Sequence, residues 1–262
     1  MKKVFITTVI LCLFASKTIA QISSPGLGKA NSASWFAIGF SEQIKGANDK
    51  NWESMTYFGM GRKSNPDNNN PFYKPALLVV NQEFYQQFHK HWKYSFALSY
   101  RKENEYSNQF PYEYEDPKWK QEFRAYGRFS YILQTNHIKF EPTFRQEFRW
   151  FRAPDFSSAD ENFQLRTRFR LKLSTYLDAK KIHKISVSSE QLFAISQKNE
   201  HWTAFKYTES RFSFYYSYAP KTLPFTIDLG YMKDVVGTKN GFQADYLAAD
   251  IIFKDLFNTN KQ

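Results

Sequence analysis

The stretch ENFQLRTRFRLKLSTYL, residues 161–177, places four cations at strict two-residue spacing: Arg166, Arg168, Arg170 and Lys172. Leu165, Thr167, Phe169, Leu171 and Leu173 alternate with them. On a helix the two sets would spread around the whole circumference, whereas on a strand they separate onto opposite faces. The segment therefore reads as a strand with one greasy face and one cationic face. A basic nucleic-acid strip and the wall of a membrane barrel both accommodate such a strand.

The rhythm recurs along the chain. Trp92, Tyr94, Phe96, Leu98 and Tyr100 oppose Lys93, Ser95, Ala97, Ser99 and Arg101. Trp119, Phe123, Ala125, Phe129, Tyr131 and Leu133 oppose Lys120, Glu122, Arg124, Tyr126 and Arg128, and Phe140, Phe144, Phe148 and Trp150 oppose Lys139, Glu141, Arg145, Glu147 and Arg149. Segments 185–195, 211–218 and 223–231 follow with weaker contrast. In every case aromatics and cations lie on opposite faces. They cannot jointly stack on and neutralise one nucleic-acid strand, so no nucleic-acid partner is expected.

Composition agrees with a membrane barrel. Aromatic residues make up 19% of the 262-residue chain, yet its mean hydropathy is −0.61. A sheet with one apolar face and one charged face produces that combination, and so do the apolar-out, polar-in strands of a transmembrane barrel. Beyond the first twenty residues no long apolar run remains, which excludes a helical membrane protein.

Residues 1–20 read as a secretory signal peptide. Lys2 and Lys3 form a basic start, Val4 to Ala15 an apolar core, and SKTIA a small-residue cleavage context before Gln21. The apolar run is shorter than the ~20 residues of a spanning helix. Cleavage after Ala20 lowers the formal charge from +11 to +8 by removing Lys2, Lys3 and Lys17. It also removes Cys12, so the exported chain has no disulfide framework and no thiol chemistry. Residues 21–262 read as a single domain, because no linker or low-complexity boundary interrupts them.

Eleven strands are expected, at 34–44, 51–62, 75–88, 91–103, 118–133, 137–151, 162–177, 183–196, 203–218, 223–233 and 243–255. Many exceed the usual five or six residues. Short connections near 89–91, 134–136, 178–181 and 220–222 alternate with longer ones at 63–74, 104–117, 153–161, 197–201 and 235–241, the pattern of periplasmic turns and outer loops. The fold class is all-β, an antiparallel up-and-down transmembrane barrel of about 10–12 strands. Single-chain bacterial barrels normally have an even count. Twelve is therefore favoured over ten, with segment 33–44 either pairing with a further strand in 21–32 or lying outside the regular barrel.

The candidate site is a lumenal charge network of Arg124, Arg128, Arg145, Glu147, Arg149, Arg166, Arg168, Arg170, Glu190, Glu209 and Arg211. Midplane charges on a lipid face cost about 2–4 kcal/mol for Arg or Lys, so these rows must face the lumen. Ion pairing that fills a narrow interior is the leading reading. The alternative is a narrow pore or pocket that favours a small anionic solute. Glu122, Glu141 and Asp228 are further counter-ions.

Other chemistry has weaker support. Ser196, Glu200 and His201 are the nearest approach to a lipid-modifying site, and their spacing assembles no catalytic constellation. His89 and His91 flank a tight turn, and the acidic loop with Glu103, Glu105, Glu113, Glu115 and Asp116 has no recognised ion-loop spacing. No metal or cofactor is expected. A third reading is a soluble periplasmic barrel with an apolar ligand, which requires the greasy rows to point inward.

FRQEFRWF (144–151), LRTRFRLKL (165–173), SSEQLF (188–193), ESRFSFYYSY (209–218) and DLGYM (228–232) occur in that order. In these segments the chain resembles the bacterial domain-of-unknown-function family 2490, common in Bacteroidetes-type genomes and grouped with outer-membrane barrels. The resemblance spans Trp35 to Phe253 and rests on Arg145, Glu147, Arg149, Arg166, Arg168, Arg170, Glu190, Arg211, Gly230 and Tyr231. It implies a cell-outer-membrane location, with outer-membrane lipid and lipopolysaccharide as partners, and brings no catalytic residues. The longer loops at 63–74 and 104–117 depart from the family.

Overall fold

The computed structural model describes residues 27, 29–45, 51–237 and 241–257. The signal segment and its cleavage site lie outside the described residues. Eleven long strands form the wall: β1 (Ser32–Lys45), β2 (Asn51–Lys63), β3 (Lys74–His89), β4 (Trp92–Tyr106), β5 (Tyr114–Tyr131), β7 (Ile138–Arg152), β8 (Ser158–Tyr176), β9 (His183–Lys198), β11 (Lys206–Tyr218), β12 (Phe225–Val236) and β13 (Phe242–Lys254). Two-residue strands β6 (Leu133–Gln134) and β10 (His201–Trp202) extend the edges of β7 and β9.

Each long strand pairs antiparallel with its successor, and β1 closes the cylinder by pairing parallel with β13. An even count was expected on parity grounds, and the structure has eleven staves. Segment 33–44 is itself a stave, bonded on both sides: Ala37 aligns with Gly59 of β2 and with Asp250 of β13. With an odd number of alternating strands, the first and last necessarily point the same way, so the seam is parallel.

Connections 64–73, 107–113 and 153–157 gather with the β9–β11 and β12–β13 connections at one mouth, the loop end. Connections 90–91, 132–137, 177–182 and 219–224 lie at the other, the turn end. The length contrast is weaker than expected, since 219–224 is longer than 153–157. In the 177–182 turn the backbone N–H groups of Ile182 and His183 donate to the Asp178 carboxylate. They hold its carboxyl below the ordinary carboxylate range. This clasp is therefore complete at neutral pH and is lost only as acid protonates the carboxylate.

The two faces of the wall divide as the alternation requires. Leu98 is 68% exposed, Leu247 54%, Phe58 52%, and Phe169 and Leu229 50% each, all on the outside. The rows Lys93 to Arg101, Glu122 to Arg128, Arg145 to Arg149 and Arg166 to Lys172 point inward and are largely buried. The apolar-ligand reading needed the aromatic rows inside, and they are outside.

The interior is not uniformly charged. On the β12–β13–β1–β2 side Ala33, Trp35, Ala37, Met55, Met232, Ala244, Tyr246 and Ile252 form an apolar core. Gly59 makes room for the Trp35 indole, because a Cβ there would lie 2.2 Å from Trp35 Cη2. Leu27, ahead of β1, packs into this sector against Gly61. Its N–H donates to the Tyr246 hydroxyl at 2.9 Å, and its carbonyl accepts from Lys63 Nζ at 3.0 Å.

Candidate functional site

Glu122 and Glu147, both fully buried, organise the charged half of the lumen. Each sits mid-row on an inward face, and register brings arginines from neighbouring strands onto it. On Glu122, Arg149 closes a two-toothed pair, Nε to Oε1 at 2.7 Å and Nη2 to Oε2 at 2.9 Å. Arg124 Nε joins Oε1 at 2.7 Å, and Arg101 Nη1 reaches Oε2 at 3.2 Å. On Glu147, Arg145 Nε lies 2.6 Å from Oε1 and Arg166 Nε 2.6 Å from Oε2, with Arg168 Nη1 at 3.1 Å from Oε1. Charge-assisted pairs such as Arg149–Glu122 and Arg166–Glu147 are the strong hydrogen bonds of a protein interior, whereas Arg145 meets Glu147 as an ion contact alone.

The remaining candidates hang on this frame. Arg168 also grips Glu190 through Nε and Nη2, and Arg170 aligns with Glu190 across β8 and β9. Arg211 contacts Glu209 and, at 3.4 Å, Asp234. Arg128 pairs with Glu83 at 3.2 Å. All eleven candidates thus point into one lumen. Arg101, Glu83 and Asp234 belong to the same network and were not among them. Glu83 stood in the inward row Val79, Asn81, Glu83, Tyr85, a signal that alternation alone could have supplied.

Between the arginines lies a cavity of about 140 Å³ whose lining includes Tyr57, Ser99, Arg101, Arg145, Arg166 and Asp234. Several of its walls come from the rows FRQEFRWF and LRTRFRLKL. The family model for proteins of unknown function, DUF2490, matches residues 34–245. The chain belongs to the DUF2490 family. No curated protein and no solved structure matches it. In this DUF2490 barrel the match runs from the seam stave β1 into β13, so it takes in the whole charged sector.

Residues offered for other chemistry do not assemble. Ser196 Oγ accepts from Gln164 Nε2 at 2.9 Å, and no hydrogen bond joins it to His201 among the described residues. His89 and His91 sit at an exposed turn with ring centroids 6.1 Å apart. In the acidic loop region, Glu103 and Glu105 face Lys120, the latter pair at 2.5 Å.

A second group was not foreseen. Asp228, expected as a counter-ion to the arginines, instead stands opposite Asp250 across β12 and β13, the two 1% and 0% exposed. Trp35 Nε1 donates to Asp250 Oδ1 at 3.0 Å. Asp228 Oδ1 and Asp250 Oδ2 have no hydrogen-bond partner among the described residues. Two buried carboxyls side by side cannot both ionise without cost. Asp250→Asn keeps the acceptor for Trp35 and removes one ionisable carboxyl. It is expected to raise stability by about 1 kcal/mol, read as a higher urea midpoint; a lower midpoint would show that both carboxyls are needed.

Proposed function

We propose that the protein is an outer-membrane barrel whose charged lumen is chiefly structural and offers a narrow, anion-favouring environment to small solutes. The observation that carries the membrane assignment is the outer wall, where Phe, Leu and Tyr side chains stand exposed around the cylinder while the ion pairs lie inside. In water such a surface would far exceed the apolar patch of an ordinary monomer. In lipid it is the expected apolar band.

Aromatic rims support the same reading. Trp52, Trp92, Tyr131 and Tyr218 ring the turn end, and Trp119, Trp150 and Trp202 the loop end. Trp92 pairs with Tyr131, and twelve residues along β4 Asn104 pairs with Trp119. At about 3.3 Å per residue and a tilt of roughly 40°, that separation projects to about 30 Å, the thickness of a hydrocarbon core. Lys102 over the Trp119 ring at 4.3 Å adds a cation at the loop-end rim, suited to the phosphates of lipopolysaccharide.

Cell fractionation tests the location, with recovery in the outer-membrane fraction expected; recovery in the soluble fraction sinks the assignment. Planar-bilayer recording tests the lumen. Small anion-selective currents are the expected result, and a silent protein in every salt would leave the network with a structural role alone.

A further inference from the structure

The lumenal arginines divide by how their donors are used. Arg149 commits Nε and Nη2 to Glu122 and Nη1 to Gln164. Arg168 commits Nε and Nη2 to Glu190 and Nη1 to Glu147. Arg145 and Arg166 differ from both. Each meets Glu147 through Nε, on opposite carboxylate oxygens. Neither terminal nitrogen pair donates a hydrogen bond to an acceptor among the described residues, and both side chains line the cavity. Arg145 is further fixed by stacking on Tyr126, its guanidinium carbon 3.6 Å from the ring centroid. Arg101, on the same wall, has Nε and Nη2 without an acceptor among the described residues.

Charge points the same way. Seven arginines line the cavity, while Glu103, Glu209 and Asp234 line it and Glu122, Glu147 and Glu190 bind those arginines from behind. Six carboxylates face seven guanidiniums, and Glu103 and Glu190 also face Lys120 and Arg170, so positive charge is in excess around the cavity. A buried charge in that state calls for a counter-ion. The paired N–H groups of a guanidinium edge match two oxygens of a carboxylate, phosphate or sulfate. A volume of about 140 Å³, against roughly 30 Å³ for one water in the liquid, admits an ion of that size.

We propose that this cavity is a binding site for one small oxyanion, held by the terminal edges of Arg145 and Arg166 with Arg101 beside them. Glu147 acts as the positioning residue: its hydrogen bond from Arg166 Nε and its ion contact with Arg145 Nε turn both terminal edges to the ligand before the ligand arrives. The inference deepens the anion-favouring reading of the lumen and rests on it.

Calorimetric titration of the full-length exported chain, folded in detergent at constant ionic strength, tests the site with inorganic phosphate, sulfate and succinate as probes. Saturable one-to-one binding of phosphate or sulfate is expected, with succinate as the carboxylate arm. Arg145→Lys and Arg166→Lys keep the charge and lose the two-nitrogen edge, so each should weaken binding at least tenfold while the urea midpoint shows a folded barrel. If either lysine variant fails to fold, Ser99→Leu fills the cavity without touching an ion pair and should abolish binding. No saturable binding of any probe overturns the site, as does undiminished affinity in the folded variants. Failure to bind in a protein that fractionates with the outer membrane and carries anion current defeats the site alone. Binding by a protein recovered in the soluble fraction defeats the membrane assignment alone.

Discussion

Glu122→Gln is expected to cost about 3–5 kcal/mol of stability, the range for stranding buried charges by removing their partner. Glu122 is completely buried and takes hydrogen bonds from Arg101, Arg124 and Arg149, which come from three different strands. The amide oxygen of glutamine accepts from two of them at most, and the amide nitrogen turns a donor toward guanidiniums that the second carboxylate oxygen had served. Three positive charges then share an interior with no compensating carboxylate at that point. The loss is to be read from urea unfolding of the folded barrel in detergent. A change below about 1 kcal/mol, the level of an exposed ion pair, would mean that water reaches Glu122 and that the lumen is wetter than its burial indicates.

Trp35→Ala has the second-largest expected effect, again about 3–5 kcal/mol, the usual cost of deleting a buried tryptophan. The indole is 2% exposed and lies over the backbone of Gly59, and its N–H is the hydrogen-bond donor to Asp250 Oδ1. Removing it opens a void at the seam and strips a buried carboxylate of its partner. The steric converse is Gly59→Ala, which would push a methyl group into the ring and cost about 1–3 kcal/mol. Both are measured by the same urea titration. If Trp35→Ala leaves the midpoint unchanged, β1 is held by its ladders alone, and the apolar sector contributes nothing to closure.

How much of this was legible in the sequence follows from contrast between faces. Strand β8 announces itself because Arg166, Arg168, Arg170 and Lys172 oppose Phe169, Leu171 and Leu173, so a shift of one residue would reverse everything. Strand β1 is obscure because both its faces are apolar: Phe36 and Ile38 point out, while Ala33, Trp35 and Ala37 point in. Parity then argued for a twelfth strand that the parallel seam makes unnecessary. For the site, alternation showed which arginines face inward. It could not show which carboxylate each one reaches, because Glu122 and Arg149 are joined by cross-strand register rather than by spacing. The Asp228–Asp250 pair was invisible for the same reason: Asp228 read as a partner for arginine, and only the alignment of β12 with β13 sets it against Asp250.

An odd number of staves also has a consequence for the chain as a thread. A barrel built from whole hairpins returns to the mouth where it started, and this one does not: Ser32 opens β1 at the loop end and Lys254 closes β13 at the turn end. Ahead of β1, Leu27 is drawn inward and moored to Tyr246 and Lys63 inside the wall. The wall therefore cannot be divided into hairpins alone: one stave is left without a hairpin partner, and the closing ladder joins the two ends of the wall in the same direction.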